Sequence, residues 1–123
     1  MGYHAIDPDT LAPTPDYPCD RRPLADTAGL ANLAAAMYTV GPGEQLARSY
    51  HFHEQREELF YVITGTLSIR TPEEHFAIGP DEIFVAEPGS PFLPYVPESA
   101  AESARVIGVG APAFDVGQPY EPE

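Results

Sequence analysis

The stretch "HFHEQREELFYVITG", residues 51–65, places two imidazoles two positions apart, a carboxylate five positions further on, and then an alternating apolar run that closes at a glycine. On a strand, successive side chains point to opposite faces, so His51 and His53 share a face with Cα atoms about 6.6 Å apart. Two imidazoles at that separation can converge on one cation, each nitrogen about 2.0–2.1 Å from it. The four residues between His53 and Glu58 allow a tight turn that returns the chain antiparallel and carries the Glu58 carboxylate back beside the histidines. Phe60 and Val62 keep the phase of Glu58, while Leu59, Tyr61 and Ile63 occupy the other face. With both faces apolar, this strand is expected to be central in its sheet.

Working outward, the same grammar repeats. Upstream, "MYTVGPGEQLARSYHFH" flanks a glycine-proline-glycine turn with β-formers, and residues 35–40 are read as a strand despite their alanine content. Downstream, apolar runs at 76–78 and 83–86 are separated by the turn Gly79-Pro80-Asp81, and "ARVIGVGAP" supplies a last strand. Short strands at spacings near ten residues, with turn chemistry between them, predict an antiparallel barrel or sandwich rather than βαβ units.

The full spacing H-x-H-x4-E-x6-G, met here by His51, His53, Glu58 and Gly65, resembles the first motif of the cupin superfamily at every fixed position. Gly43, eight residues before His51, stands where that family carries an upstream glycine, a little further away than usual. The second motif is only partly met. In "DEIFVAEPGSPF" the inner glycine is Gly89, but Asp81 replaces the first glycine, Glu87 the proline, and Phe92 the histidine that normally supplies a fourth ligand. The resemblance spans roughly residues 35–110 and implies an all-β, cupin-type jelly-roll β-barrel, a double-stranded β-helix, with His51, His53 and Glu58 pointing into one end.

Three divisions are expected: a proline-rich, irregular N-terminal arm over 1–27, the barrel over 28–111, and an irregular C-terminal tail over 112–123. The arm carries Pro8, Pro13, Pro15, Pro18 and Pro23, a density that opposes helix and central strand alike. Cys19, the single cysteine, permits no intrachain disulfide and reads as a bystander thiol. The least polar early run, "AGLANLAAAM" at 28–37, is too short to span a bilayer and lies too far in for a signal peptide, so a cytoplasmic location is expected.

Charge narrows the partners. Nineteen acidic residues face six basic ones, all arginine, for a formal net charge of −13. Such a field repels nucleic acid and anionic membranes, and with no lysine at all the composition points to a salt-rich, halophilic cytoplasm.

The resemblance implies a divalent metal ion, iron, manganese, nickel or zinc, held by His51, His53 and Glu58, with open positions where a small molecule binds. Phe60, Val62, Ile83, Val85, Phe92 and Tyr95 are expected to line the pocket around it. Two functions follow: a metal-dependent enzyme of dioxygenase or isomerase type, or a non-catalytic small-ligand binder in which Phe92 marks a degenerate metal site. His75 is expected to face outward, and His4 to be incidental. Arg48 and Arg70 can hold an anionic substrate, although pairing with surplus surface carboxylates is the plainer expectation. Single-domain cupins commonly pair, so a homodimer is expected, with the arm crossing to the partner.

Overall fold

The computed structural model describes residues 2–122. Ten strands follow one another: β1 Asp20–Pro23, β2 Ala34–Val40, β3 His51–Phe52, β4 Glu57–Thr64, β5 Leu67–Arg70, β6 His75–Ile78, β7 Ile83–Ala86, β8 Leu93–Tyr95, β9 Ala104–Ala111 and β10 Gln118–Pro119. A single helical turn, α1 Ala25–Ala28, ends at Gly29, whose φ of 72° closes it in the left-handed conformation. The strands form a five-stranded sheet in the order β1-β2-β9-β4-β7, a three-stranded sheet β6-β5-β8, and a two-stranded ribbon β10-β3. Every pairing is antiparallel. The antiparallel build is that expected from the turn spacing, and the jelly-roll architecture is that implied by the family resemblance.

The two larger sheets close on one core. Val40, Val62, Leu67, Ile69 and Val106 are each fully buried, and Phe92 packs edge-on against Phe60 and tilted against Phe84. A buried side chain of this size stabilises the fold by about 1.5–3 kcal/mol relative to exposure. As expected, β4 lies between two neighbours, β9 and β7. Its outer face is nevertheless partly open to solvent, since Leu59 is 40% exposed.

The β4–β7 register corrects one expectation about the pocket. "IFVA" is apolar at all four positions, so the sequence alone gives it no phase. The pairing fixes it: Phe84 lies opposite Phe60, and Ala86 opposite Glu58. Directly opposed residues share a face, so Phe84 and Ala86 turn inward. Ile83 and Val85, expected to line the pocket, instead lie opposite Tyr61 and Leu59 on the outer face, 53% and 61% exposed.

The terminal segments are also more regular than their proline content suggests. Within the arm, β1 adds to the edge of the large sheet by pairing with β2, an edge position where proline is tolerated. Cys19 is part of the buried core, and burial pushes its thiol pKa up to about 12, which keeps it protonated and unreactive. In the tail, β10 pairs with β3, so Pro119 lies opposite His51.

Candidate metal centre

His51 sits on β3, His53 just beyond it, and Glu58 at the start of β4, with the turn 54–56 between. One nitrogen or carboxylate oxygen from each lies within 4.8 Å of the other two. His53 Nε2 is 3.3 Å from Glu58 Oε1. Two ligands that share a small cation at right angles, each about 2.0–2.2 Å from it, are separated by roughly 3 Å, so this contact has the span of neighbouring ligands.

The surroundings prepare these groups for a cation. His51 Nδ1 lies 2.9 Å from the Ser49 carbonyl. A carbonyl only accepts, so Nδ1 carries the proton and Nε2 is left as the free lone pair, the arrangement that orients metal-binding histidines. Burial lowers the pKa of both histidines, favouring the neutral imidazole that a metal requires. Burial also raises Glu58 to about 7, against the opposing pull of Arg56. His53 Nδ1 and Glu58 Oε1 are buried with no hydrogen-bond partner among the described residues. Buried polar atoms left unpaired are costly. Two imidazoles and a carboxylate with an orphaned oxygen thus fit a divalent cation, and the set is that of open non-haem iron sites.

Several residues that shape the centre were invisible to sequence spacing. Arg56 donates from Nε and Nη2 to the carbonyls of Pro112 and Ala113, at 3.1 and 2.8 Å, and holds Nη1 4.0 Å from Glu58 Oε2. Asp115 accepts the backbone N–H groups of Gln55 and Arg56 at 2.6 and 2.7 Å, fastening the tail to the turn between the ligands. The tail then passes over the histidines at Gly117, where a Cβ would come within 3.1 Å of the His51 ring. Beneath the centre, Gly110 on β9 lies opposite Glu58 and makes room for it, since a Cβ there would meet Arg56 Cδ at 2.8 Å and Glu58 Cγ at 3.0 Å. The alternating glycines of "VIGVGA" were the one available signal for that space.

Among the expected pocket residues, Phe60, Val62 and Phe92 are buried. Phe60 borders a small cavity of about 60 Å³ shared with Glu58 and Arg56. Phe92 pairs with His51 across an isolated bridge. Tyr95 is a correction. Phe92, Pro94 and Val96 alternate inward along β8 and its two flanking residues, so Tyr95 faces the other way, into a separate cleft of about 460 Å³ with Arg70 and His75. His75 is exposed, as expected. A cleft of about 380 Å³ opens directly over the candidate ligands, walled by Tyr17, Tyr38 and three arginines.

The chain matches the cupin domain family over residues 36–107 and belongs to it. Among curated proteins, none matches in sequence. Solved structures share the fold. The polyketide cyclase RemF from Streptomyces resistomycificus superposes with a TM-score of 0.79 at 19% identity, over 98% of this chain and 87% of that one. A cupin-superfamily sugar phosphate isomerase from Silicibacter pomeroyi gives 0.77 at 16% identity, over 96% and 82%. A protein from Acidithiobacillus ferrooxidans assigned as a sugar phosphate isomerase gives 0.70 at 20% identity over 81% of this chain, which spans only 64% of its length. No helix among the described residues is long and apolar enough to cross a membrane.

Proposed function

We propose that the protein is a small metal-dependent cupin that acts on a small molecule at the centre formed by His51, His53 and Glu58. One observation carries this reading: three potential ligands come together within 4.8 Å, and the half-buried acid among them has a buried oxygen with no hydrogen-bond partner among the described residues. A bound divalent cation would supply Lewis acidity or, if it is iron, oxygen activation. The chain's own residues do the rest. Ser49 fixes the His51 tautomer, Arg56 faces Glu58, and the tail at Gly117 packs against the His51 ring. The fold relatives include a cyclase and isomerases, so architecture does not select the reaction, and dioxygenase-like and isomerase-like chemistry both suit a centre of this type.

Elemental analysis of protein purified without chelators tests the reading. One divalent metal per chain, lost in His51→Ala, is the expected result. Metal-free protein that also fails to take up added zinc or iron refutes it.

Phe92 favours a second reading, a non-catalytic cupin that binds a small ligand, because an apolar ring stands beside His51 where the family's fourth ligand would be. Ligand binding that is unchanged in His51→Ala and in chelator-treated protein distinguishes it. We also propose a homodimer, supported by the apolar outer face that Leu59, Ile83 and Val85 leave exposed. Gel filtration in high salt showing only monomer removes that part.

A further inference from the structure

We infer that the cleft above His51, His53 and Glu58 binds a small anion bearing a carboxylate or phosphate group, whose charge is taken by Arg21 and Arg48. The inference rests on the metal-centre reading for the identity of the neighbouring groups, and adds the chemical class of the molecule that meets them.

The starting point is where six arginines go in a chain with nineteen carboxylates. Arg22 forms a two-pronged pair with Asp20 at 2.8 and 2.9 Å, Arg105 reaches Asp9 at 3.5 Å, and Arg56 faces Glu58. Acidic partners are abundant, yet no described carboxylate forms an ion pair with Arg21, Arg48 or Arg70. Arg70 lies over the Tyr50 ring and lines the separate cleft, away from the candidate ligands. The expectation that Arg48 pairs with a surface acid is therefore not met among the described residues. Arg21 and Arg48 instead line the cleft of about 380 Å³ that holds His51, His53 and Glu58.

Their placement is built, not incidental. Both guanidinium groups lie over one aromatic ring, that of Tyr17, at 5.6 Å for Arg21 and 4.8 Å for Arg48. The ring is itself pinned, because the Tyr17 hydroxyl donates to the Leu46 carbonyl at 2.7 Å. One Nη1 of each arginine is anchored, Arg21 to Thr14 Oγ1 at 3.0 Å and Arg48 to the Asp16 carbonyl at 2.7 Å. Each guanidinium has five N–H donors, so each keeps donors beyond its anchored Nη1 for carboxylate or phosphate oxygens.

Electrostatics give the arrangement a direction. Two cations held over one ring repel each other, and stacking at an accessible ring returns only about 0.5–1 kcal/mol per pair. An anion in the cleft that both residues line relieves that repulsion. The surrounding field of −13 opposes any anion, so a site for one needs positive charge concentrated locally, and three of the six arginines border this cleft. The cleft volume lies within the range of small-molecule sites.

Calorimetric titration with two probes, oxalate and inorganic phosphate, tests the inference on chelator-treated and on zinc-loaded protein. Wild type is expected to bind at least one probe in both forms, and the stronger of the two identifies the anionic group. Arg21→Gln and Arg48→Gln should each weaken that binding about tenfold or more, the loss expected of a charge-assisted hydrogen bond. Arg21→Lys and Arg48→Lys, which keep the charge and the fold, should recover part of it. Arg70→Gln, in the separate cleft, should bind as wild type does. Zinc uptake by equilibrium dialysis should be unchanged in the Arg21 and Arg48 variants, so a failed metal centre and a failed anion site give different results. Wild type that binds neither probe, arginine variants that bind as tightly as wild type, or an equal loss in Arg70→Gln overturns the proposal.

Discussion

Phe92 and His51 are antiparallel bridge partners whose ring centroids lie 5.1 Å apart, joined by backbone hydrogen bonds of 3.0 and 3.3 Å in the two directions. The residue that takes the place of the family's fourth ligand thus still stands beside the centre. Phe92→His should therefore place an imidazole next to the existing donors. Zinc affinity, measured by chelator competition, is expected to rise tenfold or more. The same substitution puts a polar ring among Phe60 and Phe84, so the metal-free variant should lose about 1–3 kcal/mol of stability. Unchanged zinc affinity would place Phe92 outside the ligand sphere.

Burial of Glu58 makes stability depend on pH with a definite sign. Its folded pKa of about 7 exceeds its ordinary value of 4.5, so the folded chain holds the proton more tightly than the unfolded one. The stabilising contribution is complete below the ordinary value and is lost as pH rises through about 7, a penalty on the order of 3 kcal/mol above that range. The histidines act the other way: their folded values are lowered, so stability falls as acid protonates the unfolded chain. Thermal melts of chelator-treated wild type and Glu58→Gln from about pH 5 to about 8 separate the two effects. The variant should gain on wild type as pH rises toward about 7 and level off above it. A gap that stays constant with pH contradicts the assignment.

Gly117 lets the tail pass directly over the imidazoles. In Gly117→Ala, the new Cβ at 3.1 Å from His51 Cδ2 must push the ring aside by a few tenths of an ångström. A displaced ligand weakens coordination more than it weakens the fold, so zinc affinity should fall about three- to tenfold while the melting temperature of the metal-free protein shifts little. Equal effects on both would make Gly117 a packing residue only.

The motif glycine Gly65 does different work. Its φ is +76°, and a Cβ there would lie 2.2 Å from the Ser103 carbonyl and 2.7 Å from Ala104 Cα, both backbone atoms that cannot rotate away. Gly65→Ala is expected to cost roughly 3 kcal/mol or more, read as a lower denaturation midpoint. A loss under about 1 kcal/mol would show that the turn yields.

These glycines mark the boundary of what was legible in the sequence. The ligand spacing and Gly65 could be read because a strand's two-residue period and a tight turn are local properties. Asp81 is a related case: it replaces a motif glycine and yet keeps the left-handed conformation, φ 65°, that aspartate tolerates. The phase of Ile83 and Val85 was not legible, since an uninterrupted apolar tetrapeptide carries no alternation and only pairing with β4 decides it. Tyr95 lies outside the pocket because Pro94 takes the inward position, which puts its neighbour on the opposite face. Nothing in "FDVGQPY" announces that Asp115 will bind a turn about sixty residues earlier in the chain, or that Gly117 will cover the histidines. Such contacts depend on closure of the whole barrel.

The most direct measurement of the central claim is a crystal of the zinc- or iron-loaded protein recorded at the absorption edge of that metal. The account predicts one anomalous peak per chain, about 2.0–2.2 Å from a nitrogen of His51, a nitrogen of His53 and an oxygen of Glu58. A peak elsewhere, or clean density in which Glu58 and the imidazoles turn away from one another, contradicts it.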